Sequence, residues 1–81
     1  GVEPKTLESM RRFLAEQEEV EEVYNLLTLQ MGSDVMVAVK AKMTSSSSAQ
    51  VLIADINKTE VNFKAAYPQV LWLFFEPDIK D

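Results

Sequence analysis

Residues 23–43 read VYNLLTLQMGSDVMVAVKAKM, and the fold turns on how this stretch is parsed. From Val35 to Met43 the side chains alternate. Val35, Val37, Val39, Ala41 and Met43 make one face, and Met36, Ala38, Lys40 and Lys42 the other. Period-two alternation is the mark of a strand with one buried face. The preceding run, Val23 to Met31, carries three leucines, and Gly32-Ser33-Asp34 lies between the two. Two such runs around a short Gly-containing link predict a β-hairpin, read here with a three-residue link. The valine set is the buried face.

Upstream, Pro4 opens the segment KTLESMRRFLAEQ, with proline in the first turn, where its missing N–H costs nothing. Leu7, Met10, Phe13 and Leu14 fall on one face, so a helix is expected from Pro4 to Glu16 or Gln17. The glutamate-rich run Glu18–Glu22 reads as a solvated turn, since neighbouring carboxylates repel and point outward. Downstream, Ser48 is placed to cap a helix starting at Ala49. That helix carries Leu52, Ile53, Ile56, Phe63 and Tyr67 as its apolar stripe and ends before Pro68. Asn57-Lys58-Thr59 matches a glycosylation tripeptide, but its place within a helix makes the match a coincidence. Residues 70–78, VLWLFFEPD, form the third strand, which Pro77 ends.

The order is α-β-β-α-β. A strand–helix–strand crossover is right-handed and makes its strands parallel, which puts the second strand at the centre. The expected fold class is α+β: a two-layer sandwich with a three-stranded mixed sheet and both helices on one face. With 81 residues, the chain is one domain spanning 1–81. A chain of this size buries only about 60–65% of its unfolded surface.

The third strand raises a difficulty. If Val37 and Val39 point to the helices, Leu27, Leu29, Leu71, Leu73 and Phe75 are expected beside them. Tyr24, Leu26, Thr28, Met36, Ala38, Lys40, Trp72, Phe74 and Glu76 then fall on the far side. Half of that far face is large and apolar, and monomers seldom leave such a patch wet. A second copy of the chain is the expected cover. Its interface would take in Tyr24, Leu26, Met36, Lys40, Trp72, Phe74 and Glu76.

Composition removes several functions. The net charge is −5, which disfavours nucleic acid and anionic membrane as partners. Cysteine and histidine are both absent. Thiolate metal sites, disulfides and the commonest acid–base group go with them. No nucleophile–base pair can be assembled, so no enzyme is expected. No apolar run is long enough to span a bilayer, and no signal peptide is visible.

VEEVYNLLTLQMGSDVMVAVKAKM and IADINKTEVNFKAAYPQVLWLFFEPD together resemble the cytosolic C-terminal domain of cation diffusion facilitator transporters, which export zinc and other divalent metals. The matching features are the strand opening VYNL, the glycine after the first strand, the long helix ending in an aromatic-proline pair, and the acidic-Pro-Asp tail. The resemblance implies a ferredoxin-like, metallochaperone-like fold and a V-shaped homodimer beneath a transmembrane domain on the cytoplasmic side. It also implies metal bound near the dimer interface.

The family's ligands would fall at Tyr24 and Asn25, at Lys40, at Val51 or Leu52, and at Glu76 and Asp78. Only Glu76 and Asp78 keep metal-binding chemistry, so any divalent cation is expected to bind weakly there, with the Glu18–Glu22 run as a lesser candidate. An ion pair of Lys40 with Glu76 is the expected substitute. The alternative reading is a free-standing small-molecule-binding regulatory domain of ferredoxin-like type. It would need a glycine-rich ligand loop, and the only glycines are Gly1 and Gly32.

Overall fold

The computed structural model describes residues 2–80. Helix α1 spans Pro4–Ala15, strand β1 Val20–Met31, strand β2 Asp34–Met43, helix α2 Ala49–Ala66 and strand β3 Val70–Pro77. The sheet order is β1-β2-β3, with β2 antiparallel to β1 and parallel to β3. This is the expected architecture, with the valine-rich strand at the centre.

Alternate residues of β2, from Val35 to Met43, are buried, and they meet Met10 and Leu14 of α1 and Phe63 of α2 in one core. Phe13, Phe63 and Tyr67 pack ring against ring, with Phe13 edge-on to both others at centroid distances of 6.1 and 5.9 Å. Edge-to-face contacts of this kind add to the area buried. The Ser9 and Tyr67 hydroxyls hydrogen-bond across the helix pair. Ser48 caps α2 as expected, its hydroxyl accepting from Val51 N at 3.3 Å. The α2 stripe differs at one position. Thr59, not Ile53, faces inward: Thr59 is fully buried and donates to Asp55 O at 2.9 Å, while Ile53 is exposed. The spacing Leu52, Ile56, Thr59, Phe63 follows the helical repeat more closely than a stripe through Ile53.

The hairpin corrects the face assignment of β1. Met31 pairs with Asp34, so the link is two residues, Gly32-Ser33, with Gly32 at a φ of 63°. A three-residue link would set Leu27 and Leu29 opposite Val39 and Val37. The observed register instead sets Leu26 opposite Val39 and Thr28 opposite Val37. A shift of one residue sends every side chain to the other face. Leu26, expected outside, is therefore in the core at 4% exposed, whereas Leu27 and Leu29 point outward.

Two further irregularities follow in β1, between Val20 and Glu22 and between Val23 and Asn25. Tyr24 sits in the second and is half-buried. A third lies in β3 opposite Val35 and Met36, where Val70 enters the core and Leu71 is exposed rather than inward.

The glutamate run is less solvated than its charge suggests. Glu19 is only 8% exposed, and its carboxylate accepts from Lys58 Nζ of α2 at 3.1 Å. Hydrogen bonding to Glu19, followed by its charge, raises the pKa of Lys58.

Candidate interaction face

The side of the sheet away from the helices is ordered in rows across the three strands. Leu29, Met36 and Trp72 form the first row and Leu27, Ala38 and Phe74 the second. Asn25, Lys40 and Glu76 form the third, and Glu22 with Lys42 the fourth. The rows pass from wholly apolar to wholly charged along the strands. Leu27 is 59% exposed, Phe74 57%, Leu29 48% and Trp72 44%. These four side chains make a contiguous apolar surface in a domain that otherwise has a closed core.

Of the residues expected here, Met36, Lys40, Trp72, Phe74 and Glu76 share this face. Leu26 does not, and Tyr24 lies at the β1 irregularity. Leu27 and Leu29 were the ones missed. The available signal was the turn: a two-residue link with glycine is the commonest hairpin connection.

The charged end holds two ion pairs. Lys42 Nζ lies 2.8 Å from Glu21 Oε2, and the hydrogen bond and charge of Glu21 raise the lysine pKa. Lys40 and Glu76 are register partners, as expected, but the ammonium pairs with Asp78, Nζ to Oδ2 at 3.3 Å. Asp78 is held for this. Its N–H donates to Ala41 O at 2.9 Å, carrying the β2–β3 pairing past Pro77. Its Oδ1 accepts from Ile79 N at 2.7 Å. The Ile79 N–H, then the Lys40 hydrogen bond, lower the Asp78 pKa below the ordinary aspartate value. A short, pre-oriented carboxylate within reach of a long lysine wins over the exposed Glu76.

Among the described residues no group of three or more His, Cys, Asp or Glu is placed to hold a divalent metal. Zinc favours nitrogen and sulfur ligands, and the Lys40 ammonium lies where it repels a cation.

No family model and no curated protein matches this chain. Solved structures do. One, of the candidate zinc transporter CzrB, superposes with a TM-score of 0.80 at 21% identity, covering 96% of this chain and 99% of that one. The fold is similar to CzrB's over nearly its whole length. The zinc form of CzrB gives a TM-score of 0.77 at the same identity, covering 96% of this chain and 91% of its own. The likeness to CzrB is one of fold, and it agrees with the fold that the resemblance to cation diffusion facilitators implied. None of the helices is long and apolar enough to cross a membrane, among the described residues.

Proposed function

We propose that residues 1–81 form the cytosolic dimerisation and regulatory domain of a divalent-cation efflux transporter of zinc type, with degenerate metal sites. The observation that carries this is the outward row structure of Leu27, Leu29, Trp72 and Phe74 on a fold similar to CzrB's. Such a surface is a loss in water, at roughly 1.5–3 kcal/mol for each large side chain that burial would recover. Pairing with a second copy recovers it.

Where a metal would otherwise tie the carboxylates together, Lys40 is the cation, bound to Asp78 and beside Glu76. The domain is then a constitutive dimer that holds a transporter's two halves together on the cytoplasmic side, without waiting for metal. Its role is binding and regulation, with no catalytic step.

Sedimentation at micromolar concentration tests this. A dimer is expected, with the same dissociation constant in chelator and in added zinc. Trp72→Ala should weaken association by about thirtyfold or more, the equivalent of roughly 2 kcal/mol for an aromatic anchor. A monomer, or a dimer that appears only with zinc, would sink the reading.

A further inference from the structure

The two edges of the sheet are protected unequally. We propose that the free edge of β3 takes an extended peptide as a fourth strand, in the groove between β3 and α2. The peptide that fits this groove is apolar and basic. The site does not depend on the outer face of the sheet being paired.

A sheet edge offers unpaired N–H and C=O groups to any strand that fits, and proteins usually blunt it with charge, bulges or proline. β1 is blunted in this way. Its register breaks twice, and Glu21 and Glu22 are charged and exposed. β3 is not. From Val70 to Phe75 it holds neither charge nor proline, and its pairing with β2 is regular from Trp72 to Pro77.

The ladder sets which backbone groups are free. Asp78 N–H donates to Ala41 O, so Asp78 turns toward β2. Alternate residues of a strand turn the same way, so Glu76 and Phe74 also face β2. Leu73 and Phe75 then send their N–H and C=O groups to the open side. Among the described residues no hydrogen bond from outside the ladder reaches either of them.

Side-chain chemistry selects the occupant. One hollow, about 490 Å³ in volume, is lined by Leu73, Phe75 and Glu60 on the helix side of the sheet and by Phe74 and Glu76 on the other. It therefore passes round the edge of β3. Ile53, seven residues before Glu60 and so on the same flank of α2, is exposed above that edge. A strand added here sends alternate side chains to the two sides. Apolar ones meet Ile53, Leu73 and Phe75 on the helix side and Phe74 on the other. Among the described residues no lysine or arginine lies within ion-pair distance of Glu60 or Glu76. A lysine or arginine of the peptide supplies that partner on each side, and an acidic peptide is repelled. Main-chain bonds give such sites their affinity and side-chain pockets their selectivity.

Amide exchange followed by NMR tests this, with the synthetic peptide TVVKKVVT as the probe. Its two lysines point to opposite sides of an added strand. The Leu73 and Phe75 amides should exchange readily in the chain alone and slow by about tenfold or more at saturating peptide. The Phe74 and Glu76 amides, bonded to β2, should be slow in both states. The acidic peptide TVVEEVVT should bind about tenfold more weakly, and Glu60→Lys should remove most of that preference.

Unchanged exchange at Leu73 and Phe75 with millimolar TVVKKVVT overturns the site. Equal binding of the two peptides overturns the basic partner. Protection of these amides in the chain alone, growing with protein concentration, also overturns the proposal, because the edge is then taken by a second copy.

Discussion

Lys40 reaches past its register partner Glu76 to Asp78, with Nζ 3.3 Å from Oδ2, and so ties the central strand to the residue just beyond β3. The Asp78 pKa is depressed by Ile79 N–H and by Lys40. A depressed carboxylate pKa contributes stability above its unfolded value, and that contribution is lost as pH falls through the folded value. The difference in denaturation midpoint between the parent and Asp78→Asn should thus be present at pH 5–7 and close below about pH 4. A gap unchanged down to pH 2 would mean that the charge of Asp78 contributes nothing.

Glu19 is buried and Lys58 is its partner from α2. Removing only the lysine strands a carboxylate away from water. Lys58→Met should therefore lower the melting temperature by a few degrees, a usual scale for one lost interaction in a domain this small. Adding Glu19→Gln should recover much of the loss, because the two residues touch and their effects are not additive. Thermal melts of both single variants and the double variant read this directly.

Phe63 and Trp72 are both large aromatics with opposite duties. Phe63 is fully buried and in contact with Phe13 and Tyr67. Phe63→Ala should cost about 3–5 kcal/mol in denaturant unfolding, the range for an aromatic cavity. Trp72→Ala removes a side chain that is 44% exposed in the single chain. It should cost the monomer no more than about 1 kcal/mol, the usual scale for a surface change, while loosening the dimer. Dilution series that vary protein concentration separate the two effects.

Thr59 is fully buried, yet its hydroxyl serves only Asp55 O, the carbonyl four residues back in the same helix. That carbonyl is also the intrahelical acceptor for Thr59 N–H, so losing the hydroxyl leaves no group unpaired. Thr59→Val should be neutral or stabilising by up to about 1 kcal/mol, the net scale of one hydrogen bond. A loss of 2 kcal/mol in urea unfolding would show that the hydroxyl holds α2 in place.

Gly32 stands at a φ of 63°, and the space around it is open, with nothing within 4 Å of an added Cβ. The cost of Gly32→Ala is therefore backbone alone, about 1–2 kcal/mol for an L-residue in the left-handed region. A greater loss in unfolding experiments would indicate that the whole hairpin had changed register.

The local patterns carried all five elements and their order. Proline in the first turn of α1, Ser48 at the start of α2 and the alternation from Val35 to Met43 are short-range signals, and each is realised where it was read. They were legible because capping and strand periodicity depend on residues at most four apart. The central place of β2 followed from the handedness of the crossover. The faces of Trp72, Phe74, Met36 and Lys40 followed from the alternation itself.

What the sequence could not decide alone was the phase of strands that are apolar on both sides. In β1, Leu26, Leu27 and Leu29 suit either face, so the outcome rested on whether the hairpin link is two residues or three. Pairing of Met31 with Asp34 settled it and turned Leu27 and Leu29 outward. The same holds for Leu71, displaced by the β3 irregularity, and for the choice of Asp78 over Glu76 by Lys40. Each depends on contacts between strands far apart in the chain. A one-residue slip there reverses every side chain while leaving the local composition unchanged.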